Sequence, residues 1–108
     1  MLNGYGKKII PELTYYGNWK DNKLHGIGWI ALNHNMKTVY RGEFNKGVKS
    51  GFGMQYSESE DFLFLGMWSE NLKDGIGIEI ENKRVIYEGK WLKGEKHGIG
   101  QNLKVGRK

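Results

Sequence analysis

"YYGNWKDNKLHGIG", running from Tyr15 to Gly28, carries the pattern that decides the fold. Rings at Tyr15 and Trp19 flank Gly17, Asn22 follows, and a Gly-x-Gly pair opens at Gly26. The arrangement returns from Tyr40, Phe64 and Tyr87, at intervals of 25, 24 and 23 residues. In every copy the paired glycines begin eleven residues after the first ring: Gly26 and Gly28, Gly51 and Gly53, Gly75 and Gly77, Gly98 and Gly100. Seven residues after that ring stands Asn22, Gly47, Asn71 or Gly94. Four copies agreeing at six positions make an internal repeat. An incomplete copy, "NGYGK" from Asn3 to Lys7, precedes them.

Each copy reads as a β-hairpin. The aromatic-x-Gly-x-aromatic segments have period two, so each places its rings and its glycine on one face. These are Tyr15, Gly17 and Trp19; Tyr40, Gly42 and Phe44; Phe64, Gly66 and Trp68; and Tyr87, Gly89 and Trp91. Asp21-Asn22, Lys46-Gly47, Glu70-Asn71 and Lys93-Gly94 are the turns, because Asn and Gly tolerate the positive φ that a tight hairpin requires. A second strand of about six residues starts at Gly-x-Gly, and looser connections such as Asn33 to Lys37 and Ser57 to Asp61 absorb the variation in period. With Gly26 and Gly28 across from Gly17, the rings can lie down over the sheet. The expectation is an all-β chain, an elongated twisted antiparallel sheet of successive hairpins. Residues 1–108 form one domain: a partial repeat over 3–14 and repeats over about 15–39, 40–63, 64–86 and 87–103.

Composition fits a thin core built from rings. Aromatics make up 13% and glycine 17 residues of a 108-residue chain that is only 38% hydrophobic. The absence of cysteine excludes disulfides and thiolate metal sites. No apolar run reaches the ~20 residues of a membrane-spanning helix. "MLNGYGKKII" lacks a signal peptide's apolar region, and Leu2 excludes myristoylation. A cytoplasmic location follows as the expectation, with a peripheral membrane or cytoskeletal site as its variant. The start inside a repeat fits a piece of a longer protein.

The recurring Tyr-x-Gly-x-Trp, turn Gly or Asn, and His-Gly-x-Gly resemble the MORN (membrane occupation and recognition nexus) repeat. The resemblance covers Asn3 to about Leu103. Phe44 replaces Trp, Phe64 replaces Tyr, and Ser50 and Asp74 replace the His found at His25 and His97. It implies a non-enzymatic scaffold or adaptor, which could also be the non-catalytic part of a larger enzyme. Such repeats bind protein segments in a groove along the sheet, dimerise in some members, and have been proposed to bind phospholipid head groups.

The second strands point to a surface. With two-residue turns Trp19 pairs with Leu24 and Gly17 with Gly26, which sends Ile27, Trp29, Ala31 and their counterparts to the face away from the rings. An apolar strip then opens at Trp29, Phe52, Met54, Leu65, Met67, Ile76 and Ile78, fit for an extended partner segment or an amphipathic helix. With three-residue turns and a bulge, the Ile27 set joins the ring face. The two-residue turn is favoured, because Asn or Gly occupies its second central position in all four copies. Net charge is +5, and Lys20, Lys23, Lys46, Lys49, Lys73, Lys90, Lys93 and Lys96 gather near the turns. This basic stripe is the alternative site, for a phosphoinositide or phosphatidic acid membrane surface, although lysines also guard sheet edges against strand addition. Homodimerisation through the terminal repeat, near Leu103, is a third reading.

Other chemistry is not expected. "GIGWIA", Gly26 to Ala31, satisfies a dinucleotide fingerprint in letters, but no helical period follows. His25 and His97 lie three repeats apart, too far to share a metal, and suit local hydrogen bonds to backbone or to the next copy's aromatic hydroxyl. Glu79 and Glu81 alternate with Ile78 and Ile80 as a solvated face, and with Glu58, Glu60 and Asp61 they have no recurring nucleophile or base nearby. No catalytic residue, metal, cofactor or nucleic-acid partner is assigned.

Overall fold

The computed structural model describes residues 3–57 and 61–102, with backbone alone over 98–102. Nine strands follow in order: β1 (Gly4–Ile9), β2 (Leu13–Lys20), β3 (Lys23–Leu32), β4 (Thr38–Asn45), β5 (Val48–Tyr56), β6 (Phe62–Ser69), β7 (Leu72–Glu81), β8 (Arg84–Leu92) and β9 (Glu95–Asn102). They form one open antiparallel sheet in chain order. At 53 × 29 × 17 Å its long axis is nearly twice the next, the shape of hairpins added one after another.

Both central residues have positive φ in the expected turns: Asp21 and Asn22, Lys46 and Gly47, Glu70 and Asn71, Lys93 and Gly94. This is the type I′ geometry whose twist matches that of the strands. Asn82 and Lys83 make another such turn between repeats, where a looser connection was expected. The second strands start directly at the turns, ahead of the paired glycines.

A bulge follows each turn. Trp19 pairs with Leu24, but Gly17 pairs with Gly28 and not Gly26, so His25, Gly26 and Ile27 stand against Asn18 alone. The same shift recurs where Gly42 meets Gly53 and Gly66 meets Gly77. Two extra residues are an even number, so side-chain parity survives and Ile27 stays on the face away from the rings. The paired glycines therefore divide their work. The first lies in the bulge at left-handed φ, +91° at Gly26 and +111° at Gly75. The second lies beneath a ring: a Cβ on Gly77 would come within 2.5 Å of Phe64 Cε1 and Cζ.

The core is a single face of the sheet. Trp19, Leu24, Ile30, Tyr40, Phe44, Phe64, Trp68, Tyr87 and Trp91 are buried there. The rings run edge to face, with centroids 5.3 Å apart for Tyr40 and Trp68, 5.6 Å for Phe64 and Trp68, and 5.2 Å for Phe64 and Trp91. Trp19 Nε1–H donates to the Gly6 carbonyl at 3.0 Å and Trp68 Nε1–H to that of Gly53 at 3.2 Å. The Tyr40 and Tyr87 hydroxyls donate to the Glu43 and Lys90 carbonyls. Repeats are also stitched at the turns. Gly47 and Gly94 donate N–H bonds to the Leu24 and Lys73 carbonyls. His25 Nδ1 accepts from the Lys46 N–H at 3.4 Å, and Asp74 Oδ1 from the Lys93 N–H at 3.2 Å. His25 thus has the local backbone role expected of it.

Candidate interaction face

Positions alternating with the rings meet on the other face. Trp29, Arg41, Met54, Leu65, Ile78 and Glu88 form one line of cross-strand partners from β3 to β8. Nearer the turns, Phe52 pairs with Met67 and Ile76 with Lys90. A third line joins Tyr56, Leu63, Ile80 and Val85. All seven expected strip residues therefore share one face. Phe52 is 47%, Met67 40% and Ile76 60% exposed, so this apolar surface is not consumed by the core.

Trp29 is more enclosed. Tyr16 stacks on it at 5.0 Å with an interplanar angle of 13°, and the Arg41 guanidinium lies 5.7 Å from its ring centroid. The repeat alignment does not single out Tyr16, Leu63 or Val85. Period two would have found Tyr16 beside Tyr15 and Leu63 beside Phe64, but Val85 reaches the face through a bulge opposite Glu79 and Ile80.

The lysines separate into two groups. Lys20, Lys23, Lys46 and Lys93 are exposed at the turn end, and the first three line a shallow hollow with Asp21 and His25. Lys49, Lys73 and Lys96 do not join that stripe. They pair across from Phe44, Trp68 and Trp91 and so lie on the ring face. Lys49 Nζ is 4.7 Å from the Tyr40 centroid and 5.0 Å from that of Trp68. Lys73 Nζ is 4.5 Å from Phe64 and 4.8 Å from Trp91, and Lys96 Nζ is 4.6 Å from Tyr87. The ring quadrupoles attract these cations, and Leu24 fills the equivalent place in the first repeat.

Burial lowers the affinity of Lys49 for its proton, and the charge of Lys73 adds to this. Burial does the same at Lys73, opposed by the Glu79 carboxylate and reinforced by Lys96. Glu79 is buried at 8% exposure and forms an ion pair with Lys96 at 3.1 Å, so it does not belong to a solvated face. It alternates with Ile78 and Ile80 and pairs with Phe64 on one side and Tyr87 on the other, which places it on the ring face. Glu58, Glu60 and Leu103 lie outside the described residues. Gly98, Ile99 and Gly100 fall where backbone alone is described. Among the described residues no cluster of His, Asp and Glu could hold a metal ion.

The MORN repeat family model matches residues 15–31, 40–61, 64–80 and 87–101, four segments that each open on the first ring of a hairpin. The chain belongs to the MORN repeat family. Alsin of Rattus norvegicus is 30% identical over 101 residues, which is 89% of this chain and 6% of the rat protein. Human Alsin is 29% identical over 86 residues, covering 70% of this chain and 5% of that protein. MORN repeat-containing protein 3 of Xenopus laevis is 34% identical over 68 residues, 58% of this chain and 28% of the frog protein. The chain thus spans a small part of each relative's length. MORN repeats are non-catalytic modules for protein or membrane interaction. In this MORN sheet the core rings, the Tyr40 and Tyr87 hydroxyls and the Trp19 and Trp68 indole N–H groups serve the architecture, while the opposite face and the turn end carry exposed side chains.

Proposed function

We propose that this MORN chain is a protein-docking module whose working surface is the apolar face of β5, β6 and β7. One observation carries the reading: Phe52, Met67 and Ile76 are 40–60% exposed on a face that contributes nothing to the ring core. Apolar area left in water forgoes about 25 cal/mol per Å², which a partner's apolar surface would recover. Exposed clusters of aromatic and methionine side chains are also what the centres of protein interfaces use.

A photo-crosslinking residue placed at position 67 tests this against one at position 46. The expected result is a protein adduct at 67 that persists in 0.5 M salt and is lost in Leu65→Asp, with no such adduct at 46. The reading fails if position 67 yields no protein adduct. Anionic-membrane binding at the turn end is the second reading, supported by Lys20, Lys23 and Lys46 around one hollow. It predicts sedimentation with phosphoinositide vesicles that falls steeply with salt and with Lys→Glu changes at these three positions.

A further inference from the structure

The apolar centre is bracketed by charge in a pattern that completes itself in a second copy. On β4, two strands before β6, the outward charged residues are Arg41 and Glu43; on β8, two strands after it, they are Glu88 and Lys90. Arg41 and Glu88 end the line that runs through Met54, Leu65 and Ile78. Glu43 lies at the level of Phe52, Met67 and Ile76, and Lys90 is the cross-strand partner of Ile76. All four charged residues are exposed. At matching heights on the two sides of β6, the signs are opposite.

We infer that the occupant of this face is a second copy of the same chain, packed sheet on sheet about a two-fold axis running along β6. The inference rests on the docking reading above and names its partner. A rotation about that axis lays β4 of one copy over β8 of the other and β6 over β6. Arg41 then faces the other copy's Glu88, and Glu43 faces its Lys90. Two-fold symmetry makes each of these contacts twice, giving four opposite-charge pairs around an apolar centre. Like charges do not meet, whereas an isologous interface with unbalanced charge would repel itself.

The size is sufficient. Five strands about 4.8 Å apart, each contributing about seven residues that rise ~3.3 Å, cover roughly 500–600 Å² per copy. Counted on both copies this is about 1,000–1,200 Å², at the lower end of specific interfaces. Aligned packing of two twisted sheets, face to face at about 10 Å, is a standard arrangement for surfaces of this kind.

The test uses charge reversal, because within one chain Arg41 and Glu88 are four strand spacings apart, about 19 Å. They cannot pair intramolecularly, so any rescue between them must come from contact between copies. Sedimentation equilibrium of the whole 108-residue chain would be measured from micromolar to millimolar concentration. The expected result is a monomer–dimer equilibrium that weakens about tenfold in Arg41→Glu and returns to within about threefold in Arg41→Glu with Glu88→Arg. Met67→Asp, with circular dichroism and melting unchanged, should weaken it more than a hundredfold.

A monomer at every concentration overturns the inference, as does a double reversal no better than the single. Rescue of dimerisation by Arg41→Glu with Glu43→Arg, at a melting temperature equal to that of Arg41→Glu alone, overturns the chosen axis. Between copies that pair meets only across an axis perpendicular to the strands, and the melting control removes any effect of the two residues being neighbours on β4. A cross-link from position 67 to a chain of different mass, with no dimer, overturns the second copy as occupant but leaves the docking reading standing. A monomer that also gives no adduct at 67 overturns both.

Discussion

Gly77→Ala should damage this protein more than its size suggests. The new Cβ would lie 2.5 Å from Phe64 Cε1 and Cζ and 2.9 Å from Trp91 Nε1. Comfortable carbon contacts are about 3.5–4.0 Å, so the Phe64 ring must retreat by ~1 Å. It has nowhere to go: Phe64 is fully buried, edge-on to Trp68 on one side and Trp91 on the other, with Lys73 Nζ over its face. Overpacking of this kind costs about 1–3 kcal/mol, against a small gain from replacing a strand glycine with alanine. A net loss of about 2 kcal/mol would lower Tm by roughly 10 °C in a chain of this length. Gly6→Ala is the control, because no atom lies within 4 Å of its added Cβ. Urea unfolding followed by tryptophan fluorescence and by circular dichroism measures both. If Gly77→Ala melts within about 0.5 kcal/mol of Gly6→Ala, the account of the rings lying on glycine is wrong.

Three further outcomes are expected. Lys49 and Lys73 hold their protons less tightly in the folded chain. Their charge therefore opposes folding at neutral pH, and stability rises as pH climbs through their lowered values toward the ordinary ~10.4 of lysine. Burial, with the Glu43 carboxylate adding to it, holds the Tyr40 phenol above its ordinary value, so stability falls once pH passes ~10 and the unfolded chain releases that proton first. Urea midpoints from pH 7 to 11 should pass through a maximum, and a steady decline from pH 7 would contradict this. Lys73→Leu copies the first repeat's Leu24 and should stay within about 1 kcal/mol of the parent while flattening the alkaline rise; a loss above ~2 kcal/mol would mean that the cation itself holds the rings. Removing an inter-repeat acceptor, in His25→Ala or Asp74→Ala, should cost about 0.5–1 kcal/mol each and add in the double variant, because the two sites are two repeats apart.

The repeat, the turn positions and the ring face were determined by sequence, because each rests on local chemistry. Asn and Gly permit positive φ, period two assigns faces, and aromatic-x-Gly-x-aromatic leaves room for rings to lie flat. The separation of Ile27, Phe52 and Ile76 from the rings follows from the same parity. What the sequence could not decide was register beyond the turn. Gly26 and Gly28 look equivalent as letters, but only strand pairing makes one a bulge and the other the floor beneath a ring. The lysines show the same limit. Lys46 and Lys49 are three residues apart and carry equal charge, yet one projects from a turn into water. The other sits across from Phe44 on the ring face, and only the pairing of β5 with β6 brings the Trp68 ring beside that of Tyr40 around its ammonium. The opposite signs on β4 and β8 are likewise invisible along the chain, because they acquire a common axis only when β6 lies between them in the folded sheet.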